Sequence, residues 1–214
     1  IAERGNRNVS FSNMKDLVKE AYDELDQRSQ GGGGLTGVES GFRELDKITA
    51  GLQKGELIII AGRPSMGKTA FALNIAEHVA LADNKPVAIF SMEMSASSLA
   101  QRMISSLGRV NAHSVKTGKL EEKDWHRIDG AIQQMRDAPI YIDDTPSLTP
   151  IEIRARARRI QREKGLKLIV IDYLQLMTVS GSKENRATEI SEISRNLKAL
   201  ARELDIPIIA LSQL

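Results

Sequence analysis

The sequence contains no cysteine, so disulfides and thiolate metal sites are excluded, in keeping with a chain kept in a reducing compartment. Its three histidines, His78, His113 and His126, lack metal-ligand spacing and read as structural or exposed. Aromatic residues make up 4% of the chain against 41% hydrophobic residues overall, so the core must be aliphatic. No apolar run reaches the length of a membrane span, and no signal peptide is visible. A net charge of +2 means that any nucleic-acid contact must be a local patch. At 214 residues the natural expectation is one domain with a short appendage.

Against those absences stands Gly62-Arg63-Pro64-Ser65-Met66-Gly67-Lys68-Thr69. It lies between the apolar run Leu57–Ala61 and a helix-like segment beginning at Ala70. Strand, glycine-bounded loop and Gly-Lys-Thr opening a helix form the phosphate-binding P-loop in its required context. Gly62 is expected to let the chain leave the strand sharply, and Gly67 to let backbone approach a phosphate. The N–H groups of the loop and of the helix start through Ala70 would face the anion, aided by the helix dipole. Lys68 would reach the β- and γ-phosphates, and the Thr69 hydroxyl would hold Mg²⁺. The chain is therefore expected to bind a nucleoside triphosphate.

The first 34 residues read as a linker segment. A polar lead-in precedes Met14, Leu17, Val18, Ala21, Tyr22 and Leu25 at helical spacing, giving an amphipathic helix over about 13–28 with Ser12 or Asn13 as N-cap. Gly31–Gly34 then make a flexible tether. The apolar face must be buried on something reached across it, either its own domain or a neighbouring subunit.

Residues 35–214 alternate apolar strands with amphipathic helices, which predicts a doubly wound, mainly parallel α/β sheet. Expected strands follow Leu57–Ala61, the first core strand, at Val87–Ser91, Ile140–Asp144, Leu168–Ile171 and Pro207–Leu211. Ser95 and Thr149-Pro150 mark helix starts. The helix around Glu121–Met135 carries Trp125, the only tryptophan, which reads as a core anchor. Ligands in such folds sit at the carboxyl ends of the strands, where the P-loop, Glu93, Asp172 and Gln213 all fall.

Asp172 ends a buried apolar strand downstream of the P-loop, the place of the Walker B acid that holds Mg²⁺. The residue after it is Tyr173, so a neighbouring catalytic acid is missing there. Glu93, at the end of the strand after the P-loop helix, is placed to polarise the attacking water, although the helix dipole alone would also favour an acid there. The Gln213 amide is placed either to bond the γ-phosphate or water, or to serve as an ordinary polar cap. Arg154, Arg156, Arg158, Arg159 and Arg162 read as a solvated helix face. Lys183 and Arg186, in a glycine- and serine-containing loop beyond Asp172, are the candidate nucleic-acid contacts.

Taken together, these residues resemble the C-terminal motor domain of bacterial replicative DNA helicases of the DnaB type. The resemblance rests on Thr49–Leu52, the P-loop with its Arg63-Pro64-Ser65 interior and Ser91–Met94. It continues through Thr117–Leu120 ahead of Asp124-Trp125, Tyr141–Asp144, Asp172–Leu176 and Ser212–Leu214, covering the chain from about Leu35 onward. It implies a RecA-like P-loop ATPase core preceded by a tethered linker helix, which couples ATP hydrolysis to movement on single-stranded DNA and duplex unwinding. Glu93 is then the catalytic glutamate, Lys68 and Thr69 bind phosphate and Mg²⁺, Asp172 is the Walker B acid and Gln213 the nucleotide-sensing glutamine. The implied assembly is a ring hexamer in the bacterial cytoplasm at the replisome. The linker helix docks on the adjacent subunit, and primase and a helicase loader are partners. The family's N-terminal collar domain and arginine finger are expected to lie outside this sequence, and Gly31–Gly34 departs from the pattern. The alternative is a recombinase- or clock-type RecA-fold ATPase that uses ATP to assemble on a partner. A regulatory nucleotide-binding module without turnover is a third reading, opposed by the presence of Lys68, Glu93 and Asp172.

Overall fold

Asn13 starts the first helix, α1 (Met14–Gln30). Its side-chain oxygen accepts a hydrogen bond from the Lys15 N–H at 3.1 Å, filling one of the donors that a helix start leaves open. In the computed structural model, which describes residues 13–30, 34–178 and 186–214, the chain divides into two units, Ile1–Thr36 and Gly37–Leu214. In the first unit, α1 has the expected apolar stripe. Met14, Leu17, Val18, Tyr22 and Leu25 are all exposed, Leu17 least at 43% and Met14 most at 70%. Gly31, Gly32 and Gly33 of the proposed tether lie outside the described residues.

The second unit runs α2 (Arg43–Thr49), β1 (Leu57–Gly62), α3 (Lys68–Ala82), β2 (Val87–Ser91), α4 (Ala96–Leu107), α5 (Ala112–Thr117) and α6 (Glu122–Arg136). It continues with β3 (Ile140–Asp143), α7 (Pro150–Lys164), β4 (Leu168–Asp172), a 3₁₀ turn (Leu174–Leu176), α8 (Arg186–Leu204) and β5 (Ile208–Gln213). The strands form one sheet in the order β1-β5-β4-β2-β3, and every pairing is parallel. The doubly wound α/β architecture expected from the alternating pattern is therefore present.

The reason β4 and β5 are apolar from Leu168 to Ile171 and from Ile208 to Leu211 is that both faces of the sheet are covered. Successive side chains point to opposite faces. Ile169, Ile171, Ile208 and Ala210 pack with Ile153, Ala157, Ile193, Leu197 and Leu200 of α7 and α8. On the other face, Leu168, Val170, Ile209 and Leu211 join Ala72, Ile75 and Val79 of α3, with Leu99 and Met103 of α4. Ser95 caps α4 by accepting from the Ser98 N–H at 3.3 Å. Thr149 and Glu152 close the reciprocal capping box that starts α7.

Among the described residues β1 lies at the edge of the sheet, with Ile59 45% exposed, while Leu57, Ile58 and Ile60 pack against the core as expected of a core strand. One expectation requires correction. Trp125 is not a core anchor, because it is 54% exposed. The buried stripe of α6 is made by Ile128 and Ala131, while Trp125 sits in the first turn, where the stripe has not yet met the domain.

Candidate functional site

Parallel pairing brings the carboxyl ends of the strands to one edge of the sheet. In register, Gly62 at the end of β1 lies opposite Gln213 at the end of β5, and Ser91 at the end of β2 lies opposite Asp172 at the end of β4. Further hydrogen bonds tie these ends together. The Met92 N–H donates to the Asp172 carbonyl at 2.8 Å, and the Leu214 N–H donates to the Gly62 carbonyl at 3.2 Å.

The loop from Gly62 to Thr69 runs from the end of β1 into α3. Ser65 (φ 63°) and Gly67 (φ 84°) take left-handed backbone conformations, curling the loop so that it enters α3 at Lys68. At Gly67 the constraint is conformational, since a Cβ there would meet nothing within 4 Å. Gly62 differs from expectation. Its φ is not left-handed, and an added Cβ would make only ordinary contact, 3.5 Å from the nearest Lys68 carbon. The sharp exit is therefore carried by Ser65 and Gly67 rather than by Gly62.

Arg63, Pro64, Ser65, Met66 and Gly67 are exposed, as is Ala70, whereas Lys68 and Thr69 are half-buried. The Lys68 ammonium donates to the carbonyls of Gly62 at 2.7 Å and Arg63 at 3.1 Å, which folds it back over the loop. The first N–H groups of α3 have no intrahelical acceptor and carry the positive end of the dipole. Together these groups form an exposed electropositive cradle suited to phosphate.

Thr69 and Asp172 meet although 103 residues separate them, the Thr69 hydroxyl donating to Asp172 Oδ2 at 3.0 Å. Asp172 is only 3% exposed. Burial pushes its pKa up, and the charge of Glu93 adds to the rise; the Thr69 bond and the positive charges of Lys68 and Arg102 oppose it without cancelling it. Among the described residues no group of three His, Asp or Glu side chains could hold a metal alone. A hydroxyl and one carboxylate nevertheless suit Mg²⁺, which completes its shell with water and substrate phosphate oxygens.

Glu93 follows β2 on a short turn fixed by Ser91. The Ser91 hydroxyl donates to the Met94 carbonyl at 2.7 Å and accepts from the Met94 N–H at 3.2 Å. Glu93 is exposed, and among the described residues its carboxylate makes no hydrogen bond or ion pair. It is close enough to act on the charge of Asp172. The Gln213 side chain is exposed at the end of β5.

Lys183 lies outside the described residues. Arg186 opens α8, and its guanidinium is shared by Glu189, the Gln175 carbonyl and the Met177 carbonyl at 3.4 Å. It fastens α8 to the turn after Asp172. Three of the α7 arginines are engaged across the domain. Arg154 pairs with Glu203 of α8 at 2.5 Å, Arg158 pairs with the same carboxylate, and Arg156 meets Asp143 at 2.5 Å.

Sequence reasoning missed Ser91 as the brace of the Glu93 turn, and Gln175, whose carboxamide bonds the end of β5. Both stand inside motifs already singled out. A lone serine or glutamine there has no pattern that separates a brace from a solvent-facing residue.

The family model for the DnaB-like helicase C-terminal domain matches residues 37–214. The chain is 54% identical over 206 residues to the replicative DNA helicase DnaB of Geobacillus stearothermophilus, covering 96% of this chain and 45% of that protein. It is 51% identical over 215 residues to the replicative DNA helicase DnaC of Bacillus subtilis (strain 168), covering 100% of this chain and 47% of that protein. The chain thus spans less than half the length of these curated relatives. Two solved structures are similar in fold. One is a DnaB-like replicative helicase described together with its interactions with primase, with a TM-score of 0.86 and 35% identity over 98% of this chain and 50% of that one. The other is a solved ATPase domain, with a TM-score of 0.88 and 35% identity over 96% of this chain and 72% of that one.

Proposed function

This chain belongs to the DnaB-like helicase C-terminal domain family, and on that premise we propose that it is the ATP-hydrolysing motor segment of a replicative DNA helicase. The observation that carries the reading is the contact of the P-loop hydroxyl Thr69 with the buried carboxylate Asp172, with the exposed Glu93 beside them. A phosphate-binding loop alone would support binding. A loop joined to a buried acid, with a second acid facing solvent, supports hydrolysis.

In this reading the Gly62–Ala70 backbone receives the phosphates and Lys68 turns from the loop carbonyls to the β- and γ-phosphates. Thr69 and Asp172 would hold Mg²⁺, which when bound supplies neutralisation of charge on the phosphate oxygens. Glu93 orients a water molecule and draws on its proton as the water oxygen attacks the γ-phosphorus. The bond to the bridging oxygen breaks, leaving ADP and inorganic phosphate. The Gln213 amide faces the γ-phosphate end of the site and responds to its loss.

The output is movement on single-stranded DNA and separation of the duplex, with Lys183 and Arg186 among the phosphate contacts. The exposed apolar stripe of α1 supports docking on a neighbouring copy in a ring, which we read as a hexamer. Primase is a proposed partner, since one structural relative is described together with primase, and a helicase loader is proposed from the family resemblance alone. The proposed setting is the bacterial cytoplasm at the replication fork. Among the described residues no helix is long and apolar enough to cross a membrane.

The test uses the complete chain. ATP-dependent strand displacement on a forked duplex is measured beside DNA-stimulated ATP turnover, with Glu93→Gln in parallel. Turnover and displacement in the parent, with turnover reduced on the order of 10²-fold in the variant, is the expected result. Persistent turnover in Glu93→Gln removes that residue from catalysis, and turnover without displacement removes the motor reading.

A further inference from the structure

The pairing between β4 and β5 ends early. Its last register pair is Ile171 with Ala210, yet β5 continues beside β1 as far as Gln213. The far side of that extension thus has no register partner in β4, whose last residue stays paired with β2, the Asp172 carbonyl accepting from the Met92 N–H. A strand end with unpaired N–H and C=O groups on one side is held weakly unless another group pairs them.

The Gln175 side chain does so. Its Oε1 accepts from the Gln213 N–H at 3.2 Å. Its Nε2 donates to the Gln213 carbonyl at 2.9 Å and to the Ser212 hydroxyl at 2.9 Å. A carboxamide has the donor and acceptor of a peptide group, so Gln175 stands in for the missing residue of β4. The main-chain carbonyl of the same residue accepts from Arg186 at the head of α8. One residue therefore holds Gln213 with its side chain and α8 with its backbone.

We propose that Gln175 is a positioning residue that fixes Gln213 at the nucleotide site and passes its displacement to Arg186 and α8, coupling nucleotide state to DNA. This rests on the reading of Gln213 as the amide facing the γ-phosphate. Gln175 touches no reacting atom in it. Its contribution is to make Gln213 and Arg186 move as one body.

The experiment measures ATP turnover of the complete chain with and without single-stranded DNA, for the parent, Gln175→Met, Gln175→Glu, Arg186→Gln and the Gln175→Met/Arg186→Gln double variant. Methionine keeps the length of the side chain and removes all three hydrogen bonds. Glutamate keeps the acceptor for the Gln213 N–H, loses both donors and faces the Gln213 carbonyl with a charge. For Gln175→Met the expected result is a KM for ATP within about twofold of the parent, with roughly tenfold loss of the ratio of DNA-stimulated to DNA-free turnover. Gln175→Glu loses the ratio to a similar degree, so the result stands on two side chains that place different demands on folding. The double variant falls no further than the worse single one, because both break the same link. A parent-like ratio in Gln175→Met or Gln175→Glu overturns the proposal, as do additive losses in the double variant. A proportional fall in both rates with a lowered melting temperature also overturns it, since Gln175 then only supports the fold. Absence of turnover in the parent overturns the hydrolysis reading itself, a result distinct from parental turnover with unchanged variants.

Discussion

Asp172→Asn should make the nucleotide-free protein more stable while removing its response to Mg²⁺ and nucleotide. The carboxylate is 3% exposed, carries a pKa raised by burial and by Glu93, and receives one side-chain hydrogen bond, from Thr69 at 3.0 Å. Removing an ion from water to such a site costs several kcal/mol after relaxation. A hydrogen bond to a charged group returns about 1.5–3 kcal/mol, and the nearby charge of Lys68 returns part of the remainder. Asparagine keeps the shape and a polar partner for Thr69 without the charge, so a net gain of about 1–2 kcal/mol is expected, within the range by which functional residues depress stability. For a chain of this size that is a rise of roughly 2–8 °C in melting temperature. The assay is a thermal melt with and without Mg²⁺ and ADP. In the parent, ligand at about 100 times its Kd should add about 2.7 kcal/mol, and most of that increment should vanish in the variant. A nucleotide-free variant that melts at or below the parent temperature would refute the claim that the site carries its charge at a cost. An undiminished ligand shift would refute Asp172 as the metal-holding acid.

Further outcomes follow from packing and charge. Burial opposes the charge of Asp143 and Glu203, but Arg156 and Thr145 at the first, and Arg158 and Arg154 at the second, outweigh it and lower both pKa values. A lowered folded-state pKa gives stability that is present above the unfolded value and is lost as pH falls through the folded one. Melting temperature should therefore drop below roughly pH 4; Glu203→Gln should lessen that drop and cost about 1 kcal/mol at neutral pH, the partly exposed arginines limiting its size. Leu197→Ala, at a fully buried position between α8 and the sheet, should cost about 2–5 kcal/mol in denaturant unfolding. Trp125→Ala should cost under about 1 kcal/mol, as a surface change does. The emission of this single tryptophan in the native protein should be readily quenched by iodide, and strong protection would contradict its exposure.

The sheet and the P-loop were legible because their signals are local and redundant. Leu168–Ile171 is apolar at every position, as only a strand covered on both faces can be, and Gly62–Thr69 has its strand before it and its helix after it. Trp125 was misread because composition says that a tryptophan prefers burial, whereas burial is decided by where Ile128 and Ala131 meet the domain. The edge position of β1 was equally hidden. An apolar pentapeptide reads the same in a central strand as at the edge, and strand order is set by which crossovers fit the sheet. Asp172 could be found because it ends an apolar strand, but its bond to Thr69 spans 103 residues and is a property of the fold alone.

The four segments of the site are joined in a chain of contacts whose members differ in kind. Met92 to Asp172 and Leu214 to Gly62 are backbone bonds, fixed by the parallel register and indifferent to side-chain identity. Thr69 to Asp172 and Gln175 to Gln213 depend on side chains. The first pair belongs to the folded domain whether or not nucleotide is bound. In the second pair the Thr69–Asp172 contact lies where ligand can compete, because phosphate and Mg²⁺ would take the Thr69 hydroxyl and the Asp172 oxygen for themselves, whereas Gln175 would keep its hold on the Gln213 backbone. Binding then exchanges a 3.0 Å contact between two protein groups for contacts to ligand, while the sheet beneath stays in register. A parallel edge bearing one exchangeable side-chain link, Thr69 to Asp172, and one lasting link, Gln175 to Gln213, would let the site change state while the core of the sheet stays in register. On the proposed reading, the differential affinity that drives any output would lie in Thr69, Asp172, Gln175 and Gln213 rather than in the core.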